Sequence, residues 1–161
     1  RAYDVWFYCV GILSCQSSHP MSAGTLFRVT AGMAASDGSA MLKKKVWAVV
    51  GNHGKNPVVG QLTERLRSHG KEVFRVNPYN KPPAEFSSLK DLPEPESVEC
   101  VDLVVNPTMG MDVVEQMAAL GIRNLFVQPG AGSKELSSRC EELGIAVHEG
   151  CVLVELPAGR L

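Results

Sequence analysis

The sequence predicts an α/β fold: a doubly wound, parallel five-stranded sheet with helices on both faces, in three layers. Three observations carry this expectation. From Lys43 onward, short apolar runs alternate with stretches of helical periodicity. The helical stretches stop at glycines, namely Gly70, Gly121 and Gly144. Strands that alternate with helices of this length pair in parallel through right-handed crossovers.

The elements follow in order. Val46–Val50 is continuously apolar, the mark of a strand buried on both faces. Asn56-Pro57 then opens a helix, with Asn as N-cap and Pro at the first helical position. Val58, Leu62 and Leu66 fall on one face of it, and Glu64, Arg65 and Arg67 on the solvent side. Gly70 ends the helix, and Glu72–Val76 is the second strand. The stretch from Tyr79 to Val101 is rich in Pro and Glu and reads as loop, with a short helix in "AEFSSLKDL". Leu103–Val105 is the third strand, followed by a helix lined by Val113, Met117 and Leu120. Asn124–Val127 is the fourth, followed by a helix lined by Leu136, Cys140 and Leu143. Ile145–His148 closes the sheet.

Totals bound the function. A length of 161 residues suits one domain with a real core. A net charge of -1 gives no basic footprint for nucleic acid. No apolar run is long enough to span a membrane. The five cysteines are odd in number and lack metal-site spacing. They read as free thiols in a reducing compartment, hence a cytoplasmic location. Residues 1–42 lack clear periodicity beyond Leu13 and hold few charges. They are expected to be a disordered leader or a targeting segment, with residues 43–161 as the domain. A targeting role would move the protein to a mitochondrion or plastid.

Ligands of such sheets bind at the carboxyl ends of the strands, where strand order reverses. The residues there are Gly51-Asn52-His53-Gly54-Lys55-Asn56, Asn77-Pro78, Asn106-Pro107-Thr108, Gln128-Pro129-Gly130 and Glu149-Gly150-Cys151. A side-chain amide followed by proline ends three consecutive strands. Such pairs make turns, and they also offer neutral donors and acceptors to a ligand. The start of the helix at Pro57 offers N–H groups and a positive dipole end to a diphosphate, and Lys55 adds a point charge. The loop is not a P-loop, because Asn56 stands where that motif needs a hydroxyl. It is not a G-x-G-x-x-G loop either, since its glycines are Gly51, Gly54 and Gly60. The second strand ends in neutral Asn77, with no carboxylate for the ribose hydroxyls of NAD. A ligand with a phosphorylated ribose remains compatible.

The stretches "VWAVVGNHGKNPVVGQLTERLRSHGKEVFRVNP", "SLKDLPEPESVECVDLVVNPT", "LFVQPGAGSKEL" and "GIAVHEGCVLVEL" resemble the CoA-binding protein family. Its members are stand-alone relatives of the CoA-binding domain in the succinyl-CoA synthetase alpha subunit. The resemblance covers Lys43–Leu156 and implies a Rossmann-like fold that holds the ADP part of coenzyme A across the strand ends. By position, Gly51, Asn52, Lys55, Asn56 and Gly60 match the phosphate-facing loop, to which His53 and Pro57 belong. Asn77 and Pro78 match the loop beside the adenosine. Asn106, Pro107 and Thr108 match the third loop, and Gln128 and Gly130 the fourth. Cys151 falls where many members have a cysteine, although they commonly follow it with Pro and this chain has Val152.

No nucleophile–base–orienter set is visible, and Glu149 is the one carboxylate at the strand ends. The expectation is therefore a small soluble binding module for CoA or an acyl-CoA: a sensor, carrier or regulator, with a homodimer compatible. The alternatives are an NAD(P)-binding oxidoreductase and a CoA-ligase subunit that needs a partner.

Overall fold

The computed structural model describes residues 38–79 and 86–158. Five strands form one parallel sheet in the order β2-β1-β3-β4-β5. They are β1 (Val46–Gly51), β2 (Glu72–Val76), β3 (Cys100–Val104), β4 (Asn124–Val127) and β5 (Ala146–Glu149). The helices are α1 (Gly38–Leu42), α2 (Pro57–Ser68), α3 (Pro107–Leu120), α4 (Lys134–Glu142) and α5 (Val152–Glu155). Among the described residues, no helix is long and apolar enough to cross a membrane.

Alternation along β1 sorts the core into two layers. Ala48 and Val50 join Val113, Val114 and Met117 of α3 and Leu136 and Cys140 of α4. Trp47 and Val49 join Val59, Leu62 and Leu66 of α2, Val152 of α5 and Met41 of α1. Both faces of the sheet are thus covered, and the fold is the expected Rossmann-like α/β/α arrangement. Gly70, Gly121 and Gly144 all take positive φ, as their place at helix ends requires.

Several elements differ from expectation. The core face of α2 runs through Val59, whereas Val58 is exposed. Strand β3 begins at Cys100, three residues before the expected start. Only Leu89–Asp91 of "AEFSSLKDL" is helical among the described residues, as a single 3-10 turn. Helix α5 was not expected. It docks through Arg65, whose guanidinium donates to Leu153 O at 3.1 Å and Leu156 O at 2.5 Å. Arg65 therefore does not merely face solvent. Arg67 likewise donates to Val73 O at 3.1 Å.

Helical structure also extends upstream of Lys43. Gly38–Leu42 is helical, and Met41 is only 2% exposed in the layer with Trp47. Lys71 Nζ donates to Leu42 O at 2.5 Å and Lys44 O at 2.6 Å, tying this segment to the turn after α2. The rest of the expected leader, residues 1–37, lies outside the described residues.

Candidate functional site

Parallel pairing brings the carboxyl ends of all five strands to one edge. Order reverses between β1 and β3, which both continue from the sheet centre in opposite directions. The loops after β1 and β3 flank that switch point, where ligands of such sheets sit.

The first loop is built around Asn52 and Asn56. Asn52 Oδ1 accepts from Lys55 N at 3.1 Å, and Asn52 O accepts from Asn56 N at 2.9 Å. Asn56 caps α2, its Oδ1 taking Val58 N–H at 3.0 Å, and Pro57 occupies the first helical position. The N-terminus of α2 is thus less open than its sequence implies, since Pro57 has no N–H and the next amide is already capped. The dipole end and the exposed Lys55 remain as attractions for an anion. Gly51 is demanded by packing, because a Cβ there would stand 2.8 Å from Val59 Cγ2. Gly60 is not, because an added Cβ would meet nothing within 4 Å. The surface along the first turns of α2 is therefore unobstructed at Gly60.

His53 has a structural task. Its Nε2 lies 3.0 Å from Val49 O, and Arg75 Nε donates to its Nδ1 at 3.3 Å. These partners select the neutral ring with the proton on Nε2. Arg75 itself was missed by the sequence reading, which looked only beyond strand ends. It places a second cation beside the first loop.

The amides before proline mostly serve the backbone. Asn77 is fully buried, and its Oδ1 accepts from Tyr79 N at 3.1 Å across Pro78. Asn106 caps α3 through Met109 N at 2.9 Å, with Pro107 next and Thr108 exposed in the first turn. In both, the turn-making role is realised, and the side-chain oxygen is already committed.

Gln128 differs. It is 4% exposed, and its Nε2 donates to Asp102 Oδ1 at 2.8 Å. Asp102 sits inside β3, fully buried, with Val49 and Phe126 as its register partners. Its Oδ2 has no hydrogen-bond partner among the described residues. Burial pushes the Asp102 carboxyl up from its ordinary 3.8 to about 7, against the hydrogen bond from Gln128. The sequence reading missed this residue.

Gln128 also lines a cavity of about 770 Å³ between the ends of β4 and β5 and the first turns of α4. Gly130, Lys134, Ser138, Glu141 and Glu149 share its wall. The cavity takes in the fourth loop but none of the residues of the first. Cys151 follows it in the chain, half-buried at the start of α5, whereas Cys100 and Cys140 are buried.

Comparison with known proteins agrees with this architecture. A family model described as a CoA binding domain matches residues 45–157. A hypothetical protein from Pyrococcus horikoshii is 28% identical, with a TM-score of 0.64 over 73% of this chain and 85% of its own. A conserved hypothetical protein from Pyrococcus furiosus is 33% identical, with a TM-score of 0.60 over 70% of this chain and 99% of its own. A dinucleotide-forming acetyl-coenzyme A synthetase from Ca. Korarchaeum cryptofilum shares the fold at 22% identity and a TM-score of 0.54, over 69% of this chain and 27% of its own. None of the curated proteins compared with the chain matches it in sequence. With a family model matching most of its length and the expected sheet in place, the chain belongs to the CoA-binding domain family.

Proposed function

We propose that this protein binds coenzyme A or an acyl-CoA along the carboxyl edge of its sheet and acts as a sensor, carrier or regulator without chemistry of its own. The observation that carries this reading is the match to the CoA-binding domain over residues 45–157. The first loop supports it: Lys55, Arg75, the dipole of α2 and the open space over Gly60 suit a diphosphate. The neutral end of β2 at Asn77 suits a phosphorylated ribose better than a carboxylate would. The polar cavity beyond Gln128 leaves space for the arm and its thiol or acyl end.

Titration calorimetry with CoA, ADP and NAD tests the reading. Saturable CoA binding, weaker ADP binding and negligible NAD binding are expected. Saturable NAD binding without CoA binding would overturn it in favour of a dinucleotide enzyme. Lys55→Ala is expected to weaken CoA and ADP alike by about 1–2 kcal/mol, the scale of one partly exposed charge-assisted contact. Unchanged affinity would place the Lys55 ammonium away from the phosphates.

A further inference from the structure

We propose that Arg75 is a specificity-determining residue of the ligand edge: its guanidinium takes the phosphate on the ribose of an adenine nucleotide, and His53 is the positioning residue that aims it. This rests on the CoA reading and deepens it, by giving the two cations near the first loop separate phosphates.

Arg75 stands one residue before the end of β2, half-buried, with Val49 of β1 as its register partner. Val49 and Val73 both lie in the layer beneath α2. Side chains alternate along a strand, so Arg75 projects on the same face as Val73. There it meets the first loop. His53 Nε2 donates to Val49 O at 3.0 Å, which leaves Nδ1 as the acceptor for Arg75 Nε at 3.3 Å.

That bond engages Nε and leaves the edge formed by Nη1 and Nη2, which has no hydrogen-bond or ion-pair partner among the described residues. The acceptor is a neutral imidazole nitrogen, so it does not compensate the charge. The neighbouring cations are committed elsewhere. Arg67 is bonded to Val73 O and paired with Glu64, and Lys71 is bonded to Leu42 O and Lys44 O. A charged fork with two parallel N–H donors on a held plane matches the oxygens of a phosphate.

The end of β2 has the complementary lack. The strand end of an NAD site carries a carboxylate that accepts from the ribose hydroxyls, whereas an Arg nearby accommodates a phosphorylated ribose. Here the strand ends in Asn77, fully buried and with its Oδ1 bonded to Tyr79 N. Lys55 and Arg75 thus divide the phosphates. Lys55 is exposed in the loop that enters α2, beside the dipole end. Arg75 belongs to β2, on the side of β1 away from the switch point. A nucleotide laid along this edge puts its diphosphate at Lys55 and its ribose at Arg75.

A phosphorylated adenosine ribose is supplied by CoA and by NADP. The test is titration calorimetry with CoA, dephospho-CoA, ADP and NADP. The wild type is expected to bind CoA about ten- to hundredfold more tightly than dephospho-CoA, the scale of hydrogen bonds to a charged group. Arg75→Met is expected to abolish that preference while dephospho-CoA and ADP stay within about twofold of wild type, which also shows that the variant is folded. Arg75→Lys keeps the charge without the fork and should keep part of the preference. His53→Ala is expected to reduce the preference about three- to tenfold with dephospho-CoA unchanged. His53→Gln should restore it, since its amide can donate to Val49 O and accept from Arg75. A merely structural His53 would weaken both ligands alike. Equal wild-type affinity for CoA and dephospho-CoA would overturn this inference and leave the CoA reading in place. Equal losses of CoA and ADP in Arg75→Met would also overturn it, by moving Arg75 to the diphosphate. Saturable NADP binding without CoA binding, lost in Arg75→Met, would keep Arg75 on the ribose phosphate and overturn the CoA reading instead. If none of these ligands bound, the CoA reading would fall and this inference with it. Should Arg75→Met not fold, Arg75→Lys and the two His53 variants decide by the same ratio of affinities.

Discussion

The wild-type protein is expected to lose stability relative to Asp102→Asn as pH rises from 5 to 8, by about 3 kcal/mol. The unfolded chain ionises Asp102 near its ordinary 3.8, whereas the folded chain holds the proton until about pH 7. Between those values the native state binds one proton more than the unfolded state. Stability from this group is then greatest in acid and declines with rising pH, until both states are ionised above pH 7. The cause is the removal of a carboxylate from water with one hydrogen bond in return. Asparagine at 102 does not ionise, so its curve should lack this component. Glu99 works in the opposite sense but in a lower range. The backbone N–H groups of Lys45 and Val46 hold its carboxyl below its ordinary value, so the stability it contributes is lost only in stronger acid. Urea unfolding of both proteins at unit steps of pH gives the difference directly. Parallel curves would mean that Asp102 ionises like an exposed carboxyl, with water reaching Oδ2.

The same residue shows where sequence reading stops. The alternation of strands and helices was legible because its signals are local: a continuous apolar run at Val46–Val50, an Asn-Pro cap at Asn56, a glycine after each helix. Asp102 has no local signal. It interrupts the apolar run of β3, so the strand was expected to begin after it, and its partner Gln128 directly follows the next strand. The pairing exists only once β3 and β4 are side by side. Topology puts Gln128 at the carboxyl end of β4, but its bond to a buried carboxylate was invisible.

Smaller misreadings have physical reasons too. Val58 and Val59 both keep helical spacing with Leu62 and Leu66. Steps of four residues drift around a helix of 3.6 residues per turn, whereas alternating steps of three and four stay on one face. Val59 therefore takes the core, and Val58 faces outward in the first turn. Helix α5 has four residues, too few for any period to show. Arg65 looked like one more surface charge on α2 until α5 arrived with carbonyls for it. The amides of Asn77 and Asn106 were read as candidates for ligand contact, and packing shows their oxygens bonded to the backbone that follows them. The turn explains why those residues are there.

Met41→Ala is expected to destabilise the fold by about 2–4 kcal/mol, the range for deleting a large buried side chain. For a fold of this size that is a fall in Tm of roughly 10 °C. The expectation contradicts a boundary drawn at residue 43 on sequence grounds. Residues Gly38–Leu42 read as leader because five residues carry no pattern. In the fold, Met41 is 2% exposed and joins the layer of Trp47, Leu62, Leu66 and Phe126. Trp47 fixes that layer from the other side, its Nε1 donating to Lys44 O at 2.9 Å. Removing the methionine leaves a void in that layer. A chain beginning at Lys43 should show a larger loss than the point substitution, since Lys71 would also lose its bond to Leu42 O. A chain beginning at Gly38 is the reference for both. Thermal melts of the three chains decide the matter. Equal melting of the Gly38 and Lys43 chains would return α1 to the leader and leave the fold starting at β1.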